Sequence, residues 1–313
     1  MKIFITGGTG FVGQALVKSL LAQQHQVTIV GRDTKHIERI FGATVSALDW
    51  QALAKYDLDD LMSVDAIINL AGANIGERRW TGASKQELLN SRLQTTHQLV
   101  MLCQQLEDKA PRLISASAVG IYGGYSEEPN DKSPLFTEYA LLNMSNFPDF
   151  PAELCRRWEQ EMAYILEQTK AVVYLRFGVV LDPSGGALAK LLLPFKLGLG
   201  GVIGHGRQYF PWISLVDVVR AIEFILQQPA IYGAVNIVAP EIVTQAKFAR
   251  TLAQTLHRPC LFKTPAWVLR LAFGEMADAL LLKGQRVQPQ VLQKYKFDFK
   301  YPQLSKALQA LVS

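Results

Sequence analysis

Lys2-Ile3-Phe4-Ile5-Thr6 runs directly into Gly7-Gly8-Thr9-Gly10-Phe11-Val12-Gly13, so a strand-like apolar run is followed by a glycine turn and then by a segment of helical spacing. Strand, glycines, helix is the context that a dinucleotide phosphate loop requires. Gly8 and Gly10 lack the Cβ that would block a tight turn and the approach of a pyrophosphate, and Gly13 lets helix and strand pack closely. The helix N-terminus supplies N–H donors and positive potential for an anion. Gly7, Thr9, Phe11 and Val12 complete the expected contact loop. The alternative is a glycine turn that binds nothing.

Outward from the loop, residues 2–6, 26–30, 65–71, 112–117, 172–177 and 234–238 read as strands. Their near-continuous apolar character is that of strands buried on both faces of a parallel sheet. Residues 11–24 place Phe11, Ala15, Leu16, Ser19 and Leu20 on one helical face, and residues 84–106 and 152–166 are long enough for helices. The alternation predicts an α/β fold, a Rossmann-type doubly wound parallel sheet. Pro and Gly cluster at 123–134, 147–151 and 198–211, which read as loops. After Pro240, Thr244 reads as the N-cap of a helix over 245–256, and 266–282 is a strongly apolar helical segment. A smaller, mainly helical C-terminal lobe is therefore expected. The division is 1–180 with about 212–240 for the nucleotide-binding domain, and about 181–211 with 241–313 for a substrate-side lobe.

The composition excludes several classes. A chain of 313 residues with 49% hydrophobic and 19% charged residues is no disordered tail, collagen or disulfide miniprotein. The formal charge of +5 comes without a run of like charges, so no nucleic-acid partner is expected. Cys103, Cys155 and Cys260 lie far apart and are odd in number, which fits a reducing cytoplasm. His25, His36, His97, His205 and His257 stand alone, without metal-ligand spacing. No signal-peptide pattern opens the chain, and its apolar stretches fall short of the roughly twenty residues of a membrane span. A cytoplasmic protein with a small-molecule substrate and no membrane partner is expected.

The second strand ends Ile29-Val30-Gly31-Arg32-Asp33. A carboxylate there bonds a ribose 2′-hydroxyl, whereas a guanidinium suits a 2′-phosphate, so NADP is expected over NAD. Asp33 either receives the ribose hydroxyl or caps the next helix.

Further blocks carry a resemblance. Asn69-Leu70-Ala71-Gly72, Ser115-Ala116-Ser117-Ala118, Leu175-Arg176-Phe177-Gly178 and Trp212-Ile213-Ser214-Leu215-Val216-Asp217 resemble the extended short-chain dehydrogenase/reductase superfamily. Arg78-Arg79-Trp80, Ser91-Arg92, Glu153-Leu154-Cys155-Arg156, Gly185-Gly186-Ala187-Leu188-Ala189-Lys190 and Gly274-Glu275-Met276-Ala277-Asp278 are similar to its atypical "epimerase family protein" subgroup, which has its own C-terminal domain. The resemblance implies the fold and nucleotide binding. It sets Leu70, Ala71 and Gly72 near adenine and ribose, counts Arg92 and Ser115 among the cofactor-side residues, and implies an active-site serine at Ser117. It also implies a homodimer through the helices over 84–106 and 152–166.

The departures concern chemistry. The superfamily's acid/base pair is Tyr-x-x-x-Lys, whose ammonium lowers the tyrosine pKa. None occurs between Ser117 and Arg176; the corresponding helix reads Pro151-Ala152-Glu153-Leu154-Cys155-Arg156-Arg157-Trp158-Glu159-Gln160-Glu161. Arg92 falls where an asparagine is frequent, and Phe210 where sugar-nucleotide epimerases usually carry an arginine. Glu153 is the first replacement candidate, a base held ionised by an arginine neighbour and raised in pKa by burial, or else a first-turn Glu favoured by the helix dipole. Cys155 is a thiol donor or a buried small hydrophobe. Ser117 polarises the reacting oxygen or is structural. Tyr122 and Tyr125 are pocket or rim residues, Arg78, Arg79 and Trp80 an anionic or planar subsite or a solvated loop, and His205 a lid residue or an exposed one. Two functions follow: an NADP-binding oxidoreductase or epimerase-like enzyme acting on a hydroxyl or carbonyl compound, small or nucleotide-linked, or a catalytically inactive NADP-binding sensor or scaffold.

Overall fold

Parallel pairing organises the main sheet, whose seven strands stand in the order Gly233–Ile237, Val172–Phe177, Arg112–Ala118, Ala66–Asn69, Lys2–Thr6, Gln26–Gly31, Ser46–Asp49. The computed structural model describes residues 1–106, 109–125, 134–169 and 172–312. The chain order reverses between Lys2–Thr6 and Ala66–Asn69, which opens a crevice at the carboxyl ends of these two strands.

The strands read as unbroken apolar runs because both faces are covered. Ile3 and Ile5 pack with Leu16, Val17 and Leu20 of the helix Phe11–Ala22 and with Val218 and Ile222 of the helix Leu215–Leu226. Phe4, between them, points the other way, toward Leu99 and Cys103 of the helix Gly82–Leu106 and Trp158 and Met162 of the helix Phe150–Thr169. Each such side chain, removed from water, stabilises the fold by roughly 1.5–3 kcal/mol. The fold is thus a Rossmann-like parallel sheet with helices on both faces, followed by a helical C-terminal region. There, Leu188, Phe195 and Trp212 pack with Phe248, Leu252, Leu304 and Leu308.

The structure corrects several details. Ser46–Asp49 is a strand that pattern reading passes over, because an edge strand with no fully buried residue carries no apolar run. The first helix buries Gly13, Leu16, Val17 and Leu20, and Phe11 and Ser19 lie outside that stripe. The strand expected over 65–71 ends at Asn69, whose side-chain oxygen accepts from Ala71 N (3.3 Å) and turns the chain. The apolar segment 266–282 breaks after the helix Ala266–Phe273, where Gly274 takes φ +61°. The expected loop 198–211 contains the strand Gly201–Ile203, paired with Phe262–Thr264. Within 147–151 the helix already starts at Phe150, its first turn capped by Asp149 (Ala152 N to Oδ1, 3.0 Å). Of the expected loop 123–134, residues 126–133 lie outside the described residues. Among the described residues no cluster of His, Cys, Asp and Glu can hold a metal ion, and no helix is long and apolar enough to cross a membrane.

Candidate active site

The glycine turn closes on the neighbouring strand's turn. Gly7 has φ +69°, and a Cβ there would lie 2.6 Å from the carbonyl of Leu70 and 2.8 Å from Ala71 N. A Cβ on Gly13 would stand 2.2 Å from Gly7 O, so only glycine lets the first helix start against this turn. The left-handed position is therefore Gly7 rather than Gly8 or Gly10. Gly10 N donates to Gly7 O (3.0 Å), and Gly10 is the N-cap, with no side chain covering the first N–H groups of the helix. Those donors, on Phe11 and Val12 among others, are the ones an anion would occupy. The Phe11 ring lies against Gly185, where a Cβ would stand 2.6 Å from it.

At the end of the second strand Asp33 fills the capping role through one carboxylate oxygen. Its carboxylate accepts from His36 N (2.9 Å) and caps the helix Thr34–Phe41. Arg32 is exposed and forms no ion pair among the described residues, which leaves its guanidinium open to a 2′-phosphate. Beyond the third turn, Arg92 is buried against Gly72, its Nη1 and Nη2 donating to Leu88 O and Ala73 O (both 3.0 Å) and its guanidinium 5.1 Å from the Trp158 ring. Its Nε has no partner among the described residues, and burial lowers its pKa.

Ser115 does not share that surface. It is fully buried and accepts from Asn69 Nδ2 (3.1 Å), while Asn69 also donates to Thr96 (3.1 Å) and accepts from Thr6 (2.6 Å). These bonds stitch three strands to the helix Gly82–Leu106, so the expected cofactor contact at Ser115 is corrected to a structural one.

Ser117 lies at the same carboxyl edge, opposite Arg176 in the sheet register. Its hydroxyl donates to Glu159 Oε1 (2.6 Å), and Arg176 grips the same carboxylate twice, Nε to Oε1 (2.9 Å) and Nη2 to Oε2 (2.8 Å). Arg176 Nη1 also donates to the Tyr122 hydroxyl (3.0 Å), which lies 2.8 Å from Asn236 Oδ1. Burial alone would lower the Arg176 pKa, but its bonds to Glu159 and that charge raise it above the ordinary arginine value. Burial pushes the Tyr122 phenol up, with Arg176 opposing. Ser117 and Glu159 are only 2% and 5% exposed, so this is a dry, charge-paired network.

Residue reading missed Glu159 and Arg176, although one signal was present. Cys155 and Glu159 are spaced i,i+4, as Tyr and Lys are in Tyr-x-x-x-Lys, and this spacing puts both on the inward helix face. Glu153, two positions before Cys155, turns to the far side, where it is part-exposed and paired with Arg157 (2.8 Å). It is thus not buried as expected, and it lies apart from the Ser117, Glu159 and Arg176 network. Cys155 is enclosed by Val119, Ile121, Tyr122 and Val238, and burial pushes its thiol up to about 12, so it remains protonated near neutral pH.

The outlying candidates separate. Trp80 is core, donating from Nε1 to Ile75 O (3.0 Å) and packing edge-on against Phe150, while Arg78 reaches an exposed Glu87 (3.8 Å). The three residues therefore form no single subsite. Tyr125 is exposed, Phe210 packs on Phe248, and His205 Nδ1 accepts locally from Arg207 N (3.0 Å).

Comparison with known proteins gives the family and the fold. Residues 3–146 match the NAD dependent epimerase/dehydratase family, and residues 264–311 match a domain of unknown function, DUF1731. The chain is 37% identical to the epimerase family protein YfhF of Bacillus subtilis over 313 residues, covering 100% of this chain and 98% of the relative. It is 35% identical to the human epimerase family protein SDR39U1 over the full length of both. The crystal structure of that human protein with NADPH superposes with a TM-score of 0.87 at 34% identity, covering 99% of each chain. The UDP-glucuronic acid 4-epimerase of Bacillus cereus shares the fold alone, with a TM-score of 0.73 at 19% identity over 99% of this chain and 97% of that one.

Proposed function

The chain belongs to the NAD dependent epimerase/dehydratase family, and on that premise we propose that it binds NADP across the carboxyl edge of the main sheet and acts as an oxidoreductase or epimerase-like enzyme on a hydroxyl or carbonyl compound, small or nucleotide-linked. The glycine cradle, the uncapped helix N-terminus and the open Arg32 guanidinium fit a pyrophosphate and a 2′-phosphate, and the human relative was crystallised with NADPH. The observation that carries the catalytic part is the Ser117 hydroxyl, held 2.6 Å from a carboxylate that Arg176 fixes.

When bound, the nicotinamide takes or returns a hydride at the substrate carbon. Ser117 already donates its hydrogen bond to Glu159 Oε1, so toward a substrate its Oγ is a hydrogen-bond acceptor. In the oxidising direction Ser117 Oγ takes the proton of the substrate hydroxyl while its own passes to Glu159 Oε1; reduction runs the same transfer backwards. Arg176 holds the carboxylate in one orientation through both oxygens. Cys155, protonated, packs beside Glu159 without taking part.

NADPH oxidation with a panel of carbonyl compounds tests this reading. Glu159→Gln is expected to abolish turnover and leave NADPH affinity unchanged, whereas unchanged turnover removes Glu159 from the chemistry. The burial of Ser117 and Glu159 favours a second reading, a cofactor-binding sensor or scaffold whose network needs no substrate. It requires that no carbonyl compound oxidise NADPH and that NADPH alter partner capture in a pull-down.

A further inference from the structure

The second lobe exposes large apolar side chains on elements that pair and pack together. Leu197 and Leu199 follow the helix Gly186–Lys196, Leu261 and Phe262 lie on and beside the strand Phe262–Thr264, and Trp267 and Leu271 occupy one side of the helix Ala266–Phe273. Leu261 is 84% exposed, Leu271 73% and Trp267 67%, values typical of charged side chains. Pairing holds the pieces together: Phe262–Thr264 lies against Gly201–Ile203, Arg258 Nε donates to Lys196 O (2.7 Å), and the opposite side of the helix Ala266–Phe273 packs through Leu269 beside Ile203. A patch of this kind marks a contact surface.

The charge of the same segments indicates what it contacts. From residue 183 to 216 the chain has Lys190, Lys196 and Arg207 and no carboxylate, and from 242 to 274 it has Lys247, Arg250, Arg258, Lys263 and Arg270 and no carboxylate. The whole chain's surplus is +5, so these stretches hold more than the net positive charge and the remainder is acidic overall. Lys196, Arg258 and Lys263 lie among the exposed apolar residues and form no ion pair among the described residues. A second copy fits poorly, because a two-fold contact sets this patch on itself and brings the same cations together.

We propose that this face docks on an anionic lipid surface, with Trp267, Leu271, Leu261 and Phe262 entering the interface and Lys196, Arg258 and Lys263 meeting lipid headgroups. No described helix is long and apolar enough to span the bilayer, so the contact is peripheral. The inference is independent of the cofactor and of catalysis.

Flotation of the full chain with phosphatidylcholine vesicles, with and without phosphatidylglycerol, tests it. The protein is expected to float with the phosphatidylglycerol vesicles only, and less so as salt rises. Lys196→Glu/Lys263→Glu, which spares the Arg258 bond to Lys196 O, is expected to weaken partitioning by roughly tenfold to a hundredfold. Trp267→Ala/Leu271→Ala is expected to weaken it independently, with the melting temperature of either variant unchanged because the side chains are exposed. Failure to float, or equal flotation without phosphatidylglycerol, overturns the proposal. So does a dimer in analytical ultracentrifugation that Trp267→Ala/Leu271→Ala converts to monomer, which assigns the face to a second copy.

Discussion

Arg176→Leu removes two hydrogen bonds, of 2.9 and 2.8 Å, from the Glu159 carboxylate and leaves that charge 5% exposed with the Ser117 hydroxyl as its remaining donor among the described residues. It also takes the 3.0 Å donor from Tyr122. An uncompensated buried charge costs about 3–5 kcal/mol, a large part of the roughly 5–15 kcal/mol that holds a protein folded. At about 2–4 °C per kcal/mol for a large domain, the melting temperature should fall by roughly 6–20 °C. Glu159→Leu/Arg176→Leu should regain most of that loss, because an apolar pair of similar volume in place of a buried ion pair is often neutral. Scanning calorimetry and urea midpoints on the wild type, both single variants and the double variant measure the cycle. A single Arg176→Leu variant within about 1 kcal/mol of wild type, or a double variant no more stable than Arg176→Leu, would refute the reasoning.

Other consequences follow from named contacts. Gly13→Ala sets a methyl group 2.2 Å from Gly7 O, so calorimetric titration should show NADPH binding weakened at least a hundredfold, while buried sheet amides stay protected from hydrogen exchange. Arg32→Ala removes the guanidinium proposed for the 2′-phosphate, and a fluorescence titration should show NADPH affinity falling roughly tenfold to a hundredfold with NADH affinity unchanged. Glu153→Gln should leave turnover unaltered where Glu159→Gln abolishes it, since Glu153 is paired on the far side of the helix. Cys155 and Cys103, both pushed up to about 12 by burial, should resist iodoacetamide in the folded protein at mildly alkaline pH, with Cys260 labelled first in peptide mass spectrometry. Unfolded thiols ionise near 9.0 and the folded ones do not, so stability is unaffected below that value and falls as pH rises from it toward 12.

Much of the fold was legible because its signals are local. A parallel strand covered on both faces must be apolar at successive positions, and the run Ile3-Phe4-Ile5 meets that condition whatever surrounds it. Ser46–Asp49 was not legible, since an edge strand answers to one neighbour and needs no apolar run. Trp80 misled as part of a cationic and aromatic group, because composition does not record that a ring packs inward on Phe150.

By itself the sequence determined the phosphate loop: glycine at position 13 is demanded by Gly7 O and Gly8 within a single strand-turn-helix unit, whereas Gly7 answers to Leu70 and Ala71 on the neighbouring strand's turn. It also determined that the superfamily's tyrosine and lysine are absent, a fact of residue identity. Only the tertiary structure brings together the residues that the proposed function sets in their place. Ser117 and Glu159 are 42 positions apart and Glu159 and Arg176 are 17 apart, and no local pattern couples them. The parallel register that sets Ser117 beside Arg176 brings them together beneath the inward face of the helix Phe150–Thr169, where low dielectric makes a carboxylate acceptable only with its guanidinium partner.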